Sequence, residues 1–164
     1  MKRPVFQLLA VAVSALLTAS CAHYENRIPP SVVRLPFNTV GDWNTYGISG
    51  AYSHANFIKE ERVPANYPYT TISKTGFGGI LLVTDMHGDY HAYDLACPVE
   101  MKRNVRVSID PEQFIARCEV CGSTYDVFDN LGVPLTGPAR DYGYRLARYN
   151  VGPGLNGEYM LVYH

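Results

Sequence analysis

Three cysteines in the second half of the chain, Cys97, Cys118 and Cys121, are the residues whose type and spacing could do chemistry. Two residues separate Cys118 from Cys121, a spacing that lets both thiolates of one turn face a single metal ion. Cys97 follows a predicted strand and precedes Pro98, so it could supply a third ligand from a second loop. The pattern predicts either a thiolate metal site or, in an oxidising compartment, one disulfide beside an unpaired thiol.

The residues that follow these cysteines extend the pattern. Cys118-x-x-Cys121 continues as Gly-Ser-x-Tyr-Asp, and then come Gly137-Pro138-Ala139, Leu146 and Tyr149. This arrangement resembles the second half of a Rieske iron–sulfur domain, which reads Cys-x-x-His-Gly-Ser-x-Tyr/Phe-Asp, then a Gly-Pro-Ala loop and a Leu-x-x-Tyr strand. Residues 92–98 resemble the strand that leads into the first cysteine loop of that family. The match covers residues 79–151 and implies a 2Fe-2S cluster and a role in electron transfer.

The resemblance also assigns individual roles. It puts Cys97 and Cys118 at the two cysteine ligands of the family. It implies that Ser123 and Tyr125 donate hydrogen bonds to cluster sulfurs and that Gly122 belongs to the backbone around the cluster. Two positions depart from the pattern: Cys121 stands at one histidine position and Val99 at the other. Because valine cannot bind iron, a cluster with two histidine ligands cannot form here.

Three interpretations of the altered ligand set stay open. In the first, a 2Fe-2S cluster is held by Cys97, Cys118, Cys121 and an oxygen ligand, for which Glu100 is the candidate. In the second, one zinc ion takes the three thiolates and a nearby side chain. In the third, no metal binds, and Cys97 forms a disulfide with Cys118 or Cys121 that joins the two loops.

The N-terminus predicts export. Lys2 and Arg3 precede an apolar run over residues 5–17, which is shorter than the ~20 residues of a membrane-spanning helix. Small residues and then Cys21 follow, so residues 1–20 are expected to be a signal peptide. Residues 17–21, Leu-Thr-Ala-Ser-Cys, resemble the bacterial lipobox, which implies that Cys21 becomes the lipidated first residue. The alternative is an ordinary signal peptide cut near Ala22.

Lipidation predicts a protein of the bacterial cell envelope, anchored in a membrane through its N-terminus. Ala22 follows the cysteine where an Asp would favour retention in the inner membrane, so the outer membrane is the expected location. Without residues 1–20 the chain has 12 basic and 15 acidic residues, since Lys2 and Arg3 leave with the signal. A formal charge of −3 offers no basic surface for nucleic acid. The expected partner is an unidentified redox or envelope protein.

We expect the domain that positions the cysteines to be all-β. Residues 21–36, with Pro29, Pro30 and Pro36, indicate an extended tether that lifts the domain off the membrane. Residues 37–164 are expected to form a Rieske-like domain of short strands separated by Gly/Pro turns. Within it, residues 37–91 and 140–163 should build base sheets in a sandwich or barrel. Residues 92–139 should form a smaller lobe that carries the cysteines.

Two classes of function follow from the sequence. The first is a redox module that passes single electrons to an envelope partner. The second is a metal-free binding or structural lipoprotein whose loops are joined by a disulfide. The sequence contains no nucleophile motif, phosphate-binding loop or carboxylate pair, so catalysis by this domain alone is not predicted.

Overall fold

A computed structural model describes residues 23–154 and 156–164. The predicted signal peptide and Cys21 lie outside these residues. The described chain contains two short helices, Val40–Tyr46 (α1) and Pro138–Tyr142 (α2). Its strands are Val33–Phe37 (β1), His54–Phe57 (β2), Lys74–Thr75 (β3), Ile80–Thr84 (β4), Tyr90–Asp94 (β5), Val107–Asp110 (β6), Ile115–Cys118 (β7), Thr124–Asp126 (β8), Val133–Thr136 (β9), Arg148–Gly152 (β10) and Met160–Tyr163 (β11). The predicted all-β class is confirmed.

The strands form two antiparallel sheets. Seven strands make the larger sheet in the order β2-β4-β5-β10-β11-β1-β3, and β6-β7-β8-β9 make the smaller one. The larger sheet curves until its two edges approach each other. Just after β2, the backbone N–H of Lys59 donates to Thr75 Oγ1 in β3 at 3.3 Å, and its ammonium group donates to the carbonyls of Thr70 and Ser73. The larger sheet is therefore almost a closed barrel.

The apolar run of residues 79–85 contains β4, which is buried on both faces. In β4, Ile80 and Leu82 point into the barrel, whereas Leu81 and Val83 point toward the smaller sheet. Side chains alternate between the two faces of a strand, so one continuous apolar run serves two cores. The barrel core comprises Val33, Leu35, Phe37, Trp43, Ile48, Phe57, Tyr67, Ile80, Leu82, Ala92, Tyr149 and Val162. The lobe core, between the two sheets, comprises Ile58, Leu81, Val83, Tyr93, Leu95, Cys97, Val107, Ala116, Cys118, Tyr125, Val127, Phe128, Ala139 and Leu146.

Helix α1 closes one opening of the barrel. Thr39 accepts a hydrogen bond from the N–H of Asp42, and the Asp42 carboxylate accepts one from the N–H of Thr39, which completes a capping box. Its buried residue, Trp43, packs edge-on against Phe37 with ring centroids 4.8 Å apart. A seven-residue helix is too short to be stable alone, so this packing stabilises it.

The boundary between tether and domain lies earlier in the chain than the sequence predicts. Residues 33–36 were expected in the tether, but Val33–Phe37 is β1, which lies between β11 and β3. Its residues Val33, Leu35 and Phe37 are buried in the barrel core. Their alternation is the pattern of a strand with one buried face. The domain therefore begins before residue 37.

The four strands of the smaller sheet all come from residues 107–136. This sheet packs on the outer face of β4 and β5 through the lobe core. Tyr93, which is fully buried in β5, donates a hydrogen bond from its hydroxyl to the carbonyl of Val127 at 2.9 Å. Among the described residues, no helix has the length and apolar character needed to cross a bilayer.

Candidate metal centre

The first loop of the site is the turn between β7 and β8. Cys118 is the last residue of β7, and its backbone N–H donates to the carbonyl of Ser123 at 2.9 Å. The turn is closed by the N–H of Gly122, which donates to the carbonyl of Cys118 at 2.9 Å. Gly122 has a φ of +71°, a conformation that residues with a Cβ rarely adopt. The turn therefore holds Cys118 and Cys121 on the same side of the loop.

The second loop leaves the end of β5. Its chain pairs with residues 105–107, because the N–H of Cys97 donates to the carbonyl of Val105 at 2.9 Å and the N–H of Val107 to that of Leu95 at 2.8 Å. The loop then turns back, since the N–H of Met101 donates to the carbonyl of Cys97 at 2.9 Å. Cys97 is thereby fixed at the edge of the lobe core, facing the turn that carries the other two cysteines.

The sulfur atoms of Cys97, Cys118 and Cys121 lie within 4.8 Å of one another. Cys97 Sγ is 3.6 Å from Cys121 Sγ, and none of the three forms a disulfide. Cys97 and Cys118 are fully buried, whereas Cys121 is partly exposed. In the described part of the chain this is the only group of three or more His, Cys, Asp or Glu side chains placed to hold a metal ion.

Backbone N–H groups point at each sulfur. Burial raises the pKa of Cys97 to about 12, although N–H groups of Glu100 and Val99 and the hydroxyl of Tyr125 act in the opposite direction. Burial likewise raises the pKa of Cys118, against hydrogen bonds from the N–H groups of Cys121 and Val120. The same donors would stabilise the negative charge of a metal-bound thiolate at these two positions.

Cys121 is the most acidic of the three thiols. Burial acts to raise its pKa, but hydrogen bonds from the hydroxyl and the N–H of Ser123, together with those from Cys97 and Cys118, outweigh that effect, and the pKa lies below its usual value. Ser123 Oγ is 3.2 Å from Cys121 Sγ and accepts a hydrogen bond from the N–H of Ala139 at 3.0 Å. A serine hydroxyl can accept and donate at the same time, so it can accept from Ala139 while its proton points at the sulfur.

Two further residues complete the surroundings of the sulfurs. Tyr125, which is fully buried in β8, has its hydroxyl 3.6 Å from Cys97 Sγ. Gly137 has a φ of +74°, and a Cβ at that position would lie 2.9 Å from the Cα of Ser123. Only glycine therefore allows the 137–139 segment to approach closely enough for Ala139 to bind Ser123.

The remaining sequence candidates have different surroundings. Val99 packs against the lobe core and contributes no ligand atom. Glu100 directs its backbone N–H at Cys97, and its carboxylate is not part of the group within 4.8 Å. The described side chains thus bring three ligands together, all of them thiols.

Sequence reasoning missed Asp94, the last residue of β5. This fully buried carboxylate accepts hydrogen bonds from the N–H groups of Phe77, Gly78 and Ala96 at 2.7–3.1 Å and from the Tyr149 hydroxyl at 2.5 Å. It therefore joins β10, the 76–78 segment and the residue before Cys97. Its only signal in the sequence is its place beside the first cysteine loop, since its partners lie up to 55 residues away.

Comparisons of the chain with protein-family models, with curated proteins and with solved structures found no match.

The donor set fits a soft metal. Thiolates are ligands of zinc, copper(I) and iron–sulfur centres, and three of them already converge here from two loops. Without a metal, three neighbouring thiols stay protonated or oxidise, because adjacent thiolates repel each other. The three cysteines can therefore bind a metal, and any fourth ligand has to come from outside this trio.

Proposed function

We propose that the chain is a Rieske-like redox module of the bacterial cell envelope, with a metal centre held by Cys97, Cys118 and Cys121. The observation that carries the proposal is the approach of three sulfur atoms to within 4.8 Å from two separate loops. The Rieske-like pattern of residues 79–151 supports it, as does the partition into a barrel and a small lobe that carries the cysteines. Lipid on Cys21 would anchor the module in the membrane.

A 2Fe-2S cluster is the occupant that the sequence resemblance implies, and it would supply one-electron transfer. The protein's own contribution is binding and tuning. Cys97 and Cys118 are buried and fixed by backbone hydrogen bonds, so they would bind with little reorganisation. Ser123 and Tyr125 would donate hydrogen bonds toward sulfur and stabilise the reduced, more negative state. Glu100 remains the candidate oxygen ligand.

Charge sets the expected direction of the redox potential. A thiolate at position 121 carries negative charge where the family has a neutral imidazole. Negative charge near the metal stabilises the oxidised state, so the potential should lie below that of centres with two histidine ligands. A potentiometric titration of the purified protein measures this directly.

Metal analysis tests the proposal. Protein purified without oxygen should be brown and contain about two irons and two sulfides per chain, the stoichiometry of a 2Fe-2S cluster. Cys118→Ser should abolish both. Val120→Ser is the matched control, because Val120 lies in the same turn and is 64% exposed. A content of one zinc per chain would contradict the redox role and indicate a structural metal site instead.

One observation favours a second candidate, a metal-free binding or structural lipoprotein. Cys97 Sγ and Cys121 Sγ are 3.6 Å apart, so a small side-chain movement would bring them to the ~2.05 Å of a disulfide. That disulfide would join the two loops and leave Cys118 as a buried thiol. A colourless, metal-free protein whose peptide map shows Cys97 bonded to Cys121 would refute the redox proposal and support this one.

A further inference from the structure

The residues before β1 lie against the domain instead of extending away from it. Glu25 forms a parallel bridge with Tyr144. The N–H of Glu25 donates to the carbonyl of Gly143 at 2.7 Å, and the N–H of Arg145 donates to the carbonyl of Glu25 at 3.0 Å. These bonds fix the chain to the segment between α2 and β10.

Side-chain contacts continue the attachment. Ile28 is 5% exposed and packs with Ala96 and Ala147, next to the start of the first cysteine loop. The guanidinium of Arg27 lies 4.5 Å above the ring centre of Tyr144. Residues 25–32 therefore do not form the free tether that the prolines predicted, because the edge of the domain provides both hydrogen bonds and an apolar site for them.

The position of His23 shows where the chain leaves the domain. Gly143, which ends α2, has a φ of +72°, and a Cβ there would lie 2.9 Å from the carbonyl oxygen of His23. The backbone of His23 thus rests directly on this turn. Cys21 precedes it by two residues, a span of at most about 7 Å in a fully extended chain. A lipid on Cys21 must therefore enter the bilayer close to Gly143.

The surface around this point has the composition of a membrane interface. Tyr142 is 64% exposed, and its ring centre is 5.4 Å from that of Tyr144. Tyrosine is enriched at the level of lipid headgroups, where its ring and hydroxyl meet different environments. The two segments that meet here, residues 23–28 and 138–145, carry three basic and two acidic residues, namely Arg27, Arg140, Arg145, Glu25 and Asp141. The net charge of these residues is therefore positive, whereas the exported chain as a whole carries a formal charge of −3.

We propose that this face, formed by Arg27, Tyr142 and Tyr144, lies on the bilayer surface in the lipidated protein. The proposal rests on the lipid anchor in the proposed function and adds a fixed orientation to it. Helix α2 spans five residues, about 7.5 Å, and begins where Ala139 binds Ser123. The cysteine site consequently lies near the membrane surface, and a partner that reaches it must itself be close to the membrane.

Lipid quenching of an introduced tryptophan tests the orientation. Full-length protein extracted from membranes is reconstituted into phosphatidylethanolamine/phosphatidylglycerol vesicles, with or without acyl chains brominated near the headgroup. Tyr142→Trp carries the probe on the proposed face. Met86→Trp is the control, because Met86 is 58% exposed in the turn before β5, and the register of β5 with β10 puts it at the opposite end of the sheet. Emission from the buried Trp43 of the unsubstituted protein is subtracted.

Brominated lipid should quench the indole introduced by Tyr142→Trp at least about twofold, as expected for a ring at headgroup depth. The Met86→Trp probe should be unaffected. Equal quenching of both probes, or quenching of neither while the protein floats with the vesicles, would overturn the orientation and leave the anchor intact. Failure to float with the vesicles would overturn the anchor itself, and the orientation with it.

Discussion

Replacing Asp94 with asparagine tests whether this carboxylate joins the barrel to the cysteine lobe. Oδ1 accepts from the N–H groups of Gly78 and Ala96, and Oδ2 accepts from the N–H groups of Phe77 and Gly78 and from the Tyr149 hydroxyl. Burial raises the pKa of Asp94, and the hydrogen bonds from Tyr149, Ala96, Phe77 and Gly78 oppose that effect. Because a raised pKa extends the protonated form to higher pH, the experiment is done near pH 8, which favours the charged form.

The expected loss of stability follows from the number of hydrogen-bond donors that lose their acceptor. An asparagine keeps one oxygen and replaces the other with an NH₂ group, which cannot accept. If the NH₂ group replaces Oδ1, the N–H of Ala96 loses its acceptor; if it replaces Oδ2, the N–H of Phe77 and the hydroxyl of Tyr149 lose theirs. In either orientation at least one donor is left unpaired, at a cost of about 1–3 kcal/mol, and the charge-assisted bonds weaken. We expect a loss of about 2–4 kcal/mol in the free energy of unfolding.

Urea denaturation measures this difference. Asp94→Asn should lower the midpoint without changing the slope, because the surface exposed on unfolding is the same. Asp89→Asn is the control: Asp89 is exposed in the turn before β5, and its change should stay within about 0.5 kcal/mol. If Asp94→Asn unfolds at the wild-type midpoint, Asp94 is protonated in the folded protein and the reasoning from a charged acceptor is wrong.

Two further substitutions test the barrel and the cysteine turn. Leu35→Ala should lower the free energy of unfolding by about 2–5 kcal/mol, because Leu35 is fully buried in the barrel core. Val32→Ala, at a position that is 71% exposed, should lower it little. Equal losses would mean that residues 33–37 are not part of the folded core. Gly137→Ala should lower stability and metal retention more than Gly88→Ala, measured by thermal unfolding and metal analysis. Both glycines have positive φ, but only at Gly137 does an added Cβ meet Ser123, so equal effects would contradict the proposed close approach.

Most of the fold could be predicted from the pattern of strands in the sequence. The apolar and aromatic runs at residues 79–85 and 90–95 are typical of strands; they form the hairpin of β4 and β5, and its residues alternate between two cores as period 2 requires. The prolines led to the prediction of an extended tether where the structure has β1. Pro36 lies inside this strand, but β3 pairs only with Val33 and Arg34, so β1 has an open edge where Pro36 lies. Proline is tolerated at a strand edge, and a sequence alone does not show which strand becomes one.

The site was predictable where it depends on local spacing. The Cys-x-x-Cys turn and its following Gly-Ser were sufficient to single out the residues around Cys121. The contribution of Asp94 depends on Phe77 and Tyr149, which are 17 and 55 residues away in sequence. Such contacts follow from the pairing of β5 with β4 and with β10, and no local pattern encodes them. The docking of Glu25 on Gly143 is long-range in the same way.

The two positions that depart from the Rieske pattern have different structural consequences. Val99 becomes part of the apolar packing, whereas Cys121 brings its sulfur to 3.6 Å from that of Cys97. In a tetrahedral site with metal–sulfur bonds of ~2.3 Å, neighbouring sulfurs are about 3.8 Å apart. Three sulfurs within 4.8 Å therefore approximate one face of a tetrahedron around a single ion.

A two-iron cluster needs its ligands on two metal atoms, so one of the three sulfurs has to lie farther from the others. Cys97 and Cys118 are fully buried and cannot turn without displacing the lobe core. Cys121 is partly exposed, and its sulfur lies 3.6 Å from that of Cys97 and 3.2 Å from Ser123 Oγ. Rotation of this one side chain would move its sulfur away from the other two, as a ligand set for two metal ions would require. In the proposed centre, the orientation of Cys121 would therefore decide whether the trio suits one metal ion or two.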